Sequence, residues 1–318
     1  MSKIFITGAG YHHPPERVTN AQLAKLVATS DAWILERTGV AERRRAAPDV
    51  LTSDMGVLAT RRALEDAKLT PRDLDLLVCA TSSPDTMLPP AACHIGHKLG
   101  IDAVAFDVNA ACAGFVYAVA VARSLMDSMA HRCVAVCAAD RYTSFVDYGD
   151  RRTCILFGDA AATIVLSRDA PQRGAEVVDV HLENRHEYVH LVSVPVGGHW
   201  HLESGTVNPA AGEIMWRAAK TLLDRHGLRA GDLRAFIGHQ ANYRLLEEIA
   251  KRLGVEATQH WSNVQWMGNQ GAAGVLTTYA AGVEQHADTL RDGDWILMTV
   301  VGAGFTGGSL LLRWTHRD

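Results

Sequence analysis

The sequence predicts an α/β protein with a parallel or mixed sheet covered by helices on both faces, and three observations carry the prediction. Short apolar runs alternate with helical patterns: strand at 75–81, helix at 91–99, strand at 103–108, helix at 113–129, strand at 133–139. The same succession returns between residues 234 and 301. In each series the inner helix opens on a junction of small residues, around Cys112 in the first and Asn269 in the second. A chain of 318 residues is long enough for two such units, and the expected division is 1–170 and 171–318. No linker separates them, so the halves are expected to share one core. They should be related by a pseudo-twofold that turns both inner helix N-termini toward one cleft.

Each element has its own signal. Residues 3–10 read as a buried strand ending in glycines. Residues 20–28 and 31–37 read as short helices, and Trp33 and Arg37, four apart, share a face. The run at 40–45, with three consecutive arginines, reads as a basic exposed stretch. Ser53 reads as the cap of a helix reaching Lys68. Three prolines within 82–90 mark a loop, and 147–152 is a polar one. Gly158-Asp159 turns the chain into a strand at 163–167. Residues 183–205 are the least regular part and hold His186, His190, His199 and His201. A helix at 211–226 stops at Gly227, and an amphipathic one at 243–253 stops at Gly254. Residues 271–284 form a helix of small apolar residues. Strands at 295–301 and 308–314 make a hairpin around the glycines of 302–307.

Composition narrows the function classes. Hydrophobic residues at 48% and charged residues at 21% describe an ordinary globular protein. A net charge of −4 gives no nucleic-acid footprint. The six cysteines follow neither a disulfide framework nor a CxxC pattern, which favours a reducing compartment. No secretory leader and no bilayer-length apolar run are visible. The expectation is a cytoplasmic enzyme of small molecules, without nucleic-acid or membrane partners.

Three residues then suggest chemistry. Cys112 sits where a strand passes into an apolar helix, and the free N–H groups and positive macrodipole end there favour a thiolate. His239, in Gly238-His239-Gln240-Ala241-Asn242, lies at the carboxyl end of a strand, where open α/β sheets hold ligands. Asn269 stands at the mouth of the second inner helix. Each has a bland alternative: a buried core cysteine, a structural histidine, a helix cap. Together they form a working set for thioester chemistry, a nucleophile that accepts an acyl group and two donors for an enolate oxygen. The glycine run 301–308 offers backbone N–H groups near the sulfur.

The chain resembles the 3-oxoacyl-acyl-carrier-protein synthase III family of the thiolase superfamily. The likeness rests on residues 107–115 around Cys112, Gly158-Asp159-Ala160-Ala161, His239-Gln240-Ala241-Asn242, Gly268-Asn269 and Gly304-Phe305-Thr306-Gly307-Gly308-Ser309. Residues 33–39 and 89–93 also match in place. The resemblance implies a thiolase-like, duplicated, five-layered αβαβα fold, a homodimer, and no bound cofactor or metal. It implies that Cys112 takes an acyl group from acyl-coenzyme A, with the amides of Cys112 and Gly304 as oxyanion hole. Malonyl-acyl-carrier protein follows, and His239 and Asn269 hold its thioester oxygen during decarboxylation and condensation. Trp33 and Arg151 would flank the adenine, with Arg37 near the phosphates and Arg244 at the coenzyme or carrier-protein entrance. Met87, Leu88 and Phe305 would border the acyl pocket.

Five positions depart from the family pattern. Leu88 replaces an aromatic residue that crosses the dimer interface, which argues for a longer primer. Gly212 stands for a coenzyme-contacting asparagine, Trp216 for a basic carrier-docking residue, and Gln270-Gly271 for Thr-Ser. Two competing readings are an acyltransferase delivering its acyl group to an alcohol or amine, and a non-catalytic partner subunit of the same fold. His186 and His190 have metal-ligand spacing on a helix, but glycines and prolines nearby favour solvated loop histidines.

Overall fold

The computed structural model describes residues 2–203 and 205–316. The first half runs β1 (Phe5–His12), β2 (Glu16–Thr19), α1 (Asn20–Leu23), α2 (Asp31–Thr38), β3 (Glu42–Arg45), α3 (Thr52–Asp66), β4 (Leu76–Ala80), α4 (Ala91–Leu99), β5 (Val104–Val108), α5 (Gly114–Met129), β6 (Cys133–Arg141) and β7 (Asp159–Ser167). The second runs β8 (Arg173–Asn184), the two-residue strands β9 (Val192–Ser193) and β10 (His201–Leu202), α6 (Val207–Arg225), β11 (Leu233–Gly238), α7 (Tyr243–Leu253), α8 (Val264–Met267), α9 (Ala273–Gln285), β12 (Trp295–Gly302) and β13 (Thr306–His316).

Nine strands lie in the order β11-β12-β13-β8-β1-β7-β6-β4-β5. The sheet is continuous only through two pairs at its middle, Phe5↔Glu176 and Ile6↔Ala175. On one side β4 runs parallel to β5 and β6, and β6-β7-β1 alternate antiparallel. On the other side β11 is parallel to β12, and β12-β13-β8 alternate antiparallel. The pattern repeats, except that the counterpart of β5 shrinks to a single bridge between Phe236 and His260.

Side-chain alternation builds the layers. Leu76, Val78 and Ala80 of β4 face a central cluster with Phe115, Val119 and Met126 of α5 and Val275, Leu276 and Tyr279 of α9. Leu77 and Cys79 face the other way, onto α3 and α4. Phe236, Leu297 and Leu311 of the second half face α6 and α7. Helices, sheet, inner helices, sheet and helices make five layers, with α5 and α9 enclosed in the middle.

Several local expectations are corrected. The arginine run is not an exposed stretch: Arg43 is buried and donates to the Val18 carbonyl at 3.0 Å, Asn20 Oδ1 at 2.8 Å and the Ile155 carbonyl at 2.6 Å. Pairing of β2 with β3 turns it inward while Arg44 and Arg45 are half-buried. α1 ends at Leu23 rather than Ala28. Ser53 is not a cap but a buried residue of the first turn of α3, its N–H bound to Asp85 at 2.9 Å. α6 begins at Val207, four residues before the expected start, and tolerates Pro209 in its first turn, where no N–H is needed.

Candidate active site

The chain leaves β5 and turns through residues 109–113 into α5. Asn109 Oδ1 accepts the Ala111 N–H at 3.1 Å, and Ala111 adopts a left-handed φ of 47°. A non-glycine residue there is uncommon, and the bend sets Cys112 at the mouth of the helix. The β12–β13 hairpin presses against this turn. A Cβ on Gly302 would lie 2.5 Å from the Ala110 carbonyl and 2.9 Å from the Ala113 nitrogen, so only glycine fits. Thr306 Oγ1 donates to the Ala110 carbonyl at 3.0 Å. Gly304, at φ 80°, forms the crest of the hairpin.

Asn269 is clipped across the halves. Its N–H donates to the Leu156 carbonyl at 2.8 Å and its carbonyl accepts from Gly158 at 2.9 Å. The approach is close enough that a Cβ on Gly158 would lie 2.2 Å from the Met267 carbonyl. The Asn269 side chain is oriented by Gly271, whose N–H donates to Oδ1 at 3.0 Å. That leaves the Nδ2 donors for the cavity. The departure at Gln270 has a structural reason: it bonds His13 at 2.9 Å, Asn263 at 3.0 Å and Thr277 at 2.9 Å, fixing the approach to α9.

His239 follows β11. Its neighbour Gln240 donates to the Gly238 carbonyl at 2.7 Å and accepts the Asn263 and Val264 N–H groups at 2.9 and 3.1 Å. Nδ1 of His239 is buried without a hydrogen-bond partner among the described residues. Burial lowers the imidazole to about 4, so it is neutral at physiological pH. Burial also pushes the Cys112 thiol up to about 12, against the pull of the Tyr142 hydroxyl at 3.6 Å. The unliganded site therefore holds a thiol. The expectation of a thiolate counted the helix end and omitted the desolvation that opposes it.

Cys112, His239, Asn269 and Phe305 line one cavity of about 110 Å³, together with Phe157 and Trp200. Gly304 itself is absent from its lining, although Gly302 and Ala303 are present. A second group converges at the surface. The guanidinium of Arg37 lies 4.6 Å and that of Arg151 5.1 Å from the Trp33 ring centre. Arg244 is engaged differently, donating to the Leu35 and Glu36 carbonyls at 3.1 and 3.2 Å, where it closes the end of α2. Met87 and Leu88 are each 81% exposed and do not border the cavity of their own chain.

Models of the N- and C-terminal parts of 3-oxoacyl-(acyl carrier protein) synthase III match residues 106–185 and 223–314. The chain belongs to the 3-oxoacyl-(acyl carrier protein) synthase III family. A curated family relative, the β-ketoacyl-(acyl carrier protein) synthase III of Aliarcobacter butzleri, is 34% identical, the alignment covering 96% of each chain. The solved synthase III of Pseudomonas aeruginosa is 34% identical with a TM-score of 0.92, covering 99% of each chain. That of Aquifex aeolicus is 32% identical at the same TM-score, over 98% of this chain and 99% of its own.

Within this synthase III framework, sequence reading missed Asp140, Tyr142, Phe157 and Trp200. Trp200 comes from the irregular loop, and its Nε1 donates to the Tyr142 carbonyl at 3.2 Å. It stacks on Phe157 with ring centres 4.1 Å apart and meets Tyr142 edge-on at 4.8 Å. The three rings wall in the nucleophile. The only hint in the sequence was an aromatic residue standing next to Gly158 and another among the loop histidines.

Proposed function

We propose that Cys112, His239 and Asn269 perform the family's priming condensation, which joins an acyl-coenzyme A primer to malonyl-acyl-carrier protein. The single observation that carries the assignment is their convergence on one cavity from both halves of the fold. In the first step the Cys112 thiol loses its proton and the sulfur attacks the thioester carbon. The carbon–sulfur bond to coenzyme A breaks, and the departing thiolate takes up one proton. The Cys112 and Gly304 amides are assigned to the developing oxyanion. In the second step the malonyl thioester oxygen accepts hydrogen bonds from His239 and Asn269 Nδ2 while carbon dioxide leaves. The resulting enolate attacks the acyl carbon and expels Cys112 as a thiolate, which recovers a proton.

Trp33, with Arg151 beside it, is assigned to the adenine, and Arg37 to the phosphates. Arg244 is assigned to the same entrance through its hold on α2. Phe305 borders the acyl pocket, and Met87 and Leu88 are assigned to the pocket of a second copy. A homodimer is supported by β5, which ends the sheet with its outer edge unpaired among the described residues. Its Val104 is 56% exposed, close in sequence order to the exposed Met87–Leu88 loop. No described helix is long and apolar enough to cross a membrane, and the substrates point to the cytoplasm. The halves 1–170 and 171–318 are part of this reading, supported by the repeated strand order.

Intact-mass measurement after acyl-coenzyme A, then after malonyl-acyl-carrier protein, tests the assignment. Cys112→Ser should remain unacylated. Asn269→Ala should still acylate but lose condensation on the order of 100-fold, the usual weight of one oxyanion donor. Equal losses in both steps would overturn the division of labour.

A further inference from the structure

We propose that the Tyr142 hydroxyl is a catalytic group that donates a hydrogen bond to the Cys112 thiolate. The inference rests on the reading of Cys112 as the nucleophile. The hydroxyl lies 3.6 Å from Sγ, within hydrogen-bond reach of sulfur. Tyr142 is fully buried and its ring cannot swing away. Trp200 and Phe157 meet it edge-on, with centres 4.8 and 5.8 Å off. The site is built around it: a Cβ on Gly271 would stand 2.7 Å from the ring, so the glycine after Gln270 makes its room.

The hydroxyl has a second partner, and that makes it a switch between two hydrogen-bonding states. A phenol carries one proton. With Cys112 as a thiol, that proton goes to Ser82 Oγ at 3.4 Å, and Ser82 donates onward to Asn109 Oδ1 at 3.1 Å. The phenol oxygen is then free to accept the S–H. Once the sulfur loses its proton, the phenol rotates and donates to S⁻, a charge-assisted bond stronger than the one to Ser82. Tyr142 keeps its own proton throughout, because burial raises it well above the ordinary phenol range. The other titratable groups around the sulfur do not supply this contact. Asp140, beneath the turn, opposes the thiolate, and His239 is neutral. Cys112 is a thiolate twice per turnover, attacking in the first step and leaving in the second, so Tyr142 serves both, whereas Asn269 serves one.

Two substitutions have opposite expected signs. Tyr142→Phe keeps the ring and removes the donor. Ser82→Ala removes the competing acceptor, so the phenol has only the sulfur to bind. Iodoacetamide alkylation of Cys112 in the intact chain, without acyl-coenzyme A, is followed by peptide mass spectrometry over about pH 6 to 9. Tyr142→Phe should slow alkylation about tenfold at each pH, equivalent to about one unit in the thiol's pKa. Ser82→Ala should accelerate it by about threefold to tenfold. A residue that merely walls the pocket predicts no change in either. Unchanged rates in both variants, or a slower Ser82→Ala, overturn the proposal. If Tyr142→Phe does not fold, the sign of the Ser82→Ala effect decides alone. Should alkylation in the wild type reach other cysteines and spare Cys112, the assignment of the nucleophile itself falls, a different failure.

Discussion

Replacing Trp200 by alanine should convert a short-primer site into one that takes medium chains. Two features argue in opposite directions about primer length. The expectation of a longer primer rests on Leu88, which lies on an exposed loop outside the cavity of its own chain. Trp200 and Phe157 line the cavity of Cys112, stacked 4.1 Å apart with their planes within 12°. The cavity they share with Cys112 is about 110 Å³, small beside the roughly 300–1,000 Å³ of ordinary ligand pockets. Rigid walls at the first carbons outrank slack further along, so the wild type should prefer acetyl to hexanoyl. Each methylene that enters the space vacated by the indole gains about 0.8 kcal/mol. Four methylenes separate the two primers and set a ceiling of about 3 kcal/mol, on the order of 100-fold in the hexanoyl/acetyl ratio of kcat/KM. Loss of the indole should also destabilise the fold by about 3–5 kcal/mol, so Tm is measured alongside. The assay is coenzyme A release with acetyl, hexanoyl and octanoyl donors. A wild type that already favours hexanoyl, or a Trp200→Ala variant with an unchanged ratio, would refute the reasoning.

Four other outcomes are expected. Because burial holds His239 at about 4, decarboxylation should show no inflection near the ordinary histidine pKa of about 6.5; one that vanishes in His239→Gln would contradict the neutral-donor role. The same depression means that the unfolded chain binds a proton on this residue between about pH 6.5 and 4 while the folded chain does not, so stability drops as pH falls through that window. His239→Gln should remove up to one proton from that slope in urea titrations. Gly302→Ala drives a Cβ to 2.5 Å from the Ala110 carbonyl, and should displace the Cys112 turn and abolish acylation even where Tm drops only a few degrees; normal acylation would show that the hairpin does not hold the turn. Arg252 lies 3.8 Å over the Trp216 ring and pairs with Glu213 at 2.7 Å, which sets a guanidinium beside the position expected to serve carrier docking. Arg252→Glu should raise KM for malonyl-acyl-carrier protein several-fold and leave acyl-coenzyme A kinetics alone, and equal effects on both would reject a docking role.

What the sequence made legible was local or periodic. α7 matches its expected span because Asn242 caps it through Arg244 and Leu245 and Gly254 ends it at φ 83°. The hairpin of β12 and β13 was readable from its glycines, and the duplication from the recurrence of strand and helix. The misreadings depended on partners distant in the chain. Arg43 looks solvated among arginines until Ile155, more than a hundred residues on, supplies its acceptor. Tyr142 and Trp200 carry no local pattern that assigns them to the nucleophile. The thiol of Cys112 shows the same limit in energetic form: the helix end is visible in the sequence, whereas the burial that outweighs it is a property of the assembled walls.

The duplication explains how two helix mouths can serve one reaction. A cysteine at one inner helix and an asparagine at the other must keep a fixed separation, although the halves meet in the sheet through only two residue pairs, between β1 and β8. Asp140, at the end of β6, supplies a further tie. It accepts the Ala272 N–H at the start of α9 at 2.8 Å and the Ser82 N–H at 2.9 Å. Thr81 and Ser83 donate their hydroxyls to it at 3.2 and 3.0 Å. Four donors from both halves converge on one buried carboxyl, and the Asn269 backbone is clipped to Leu156 and Gly158 alongside it. The same carboxyl that fixes the geometry opposes charge on the Cys112 sulfur. A site held together by a buried acid needs a compensating donor at the nucleophile, and the Tyr142 hydroxyl, 3.6 Å from Sγ, is the side chain placed to give it.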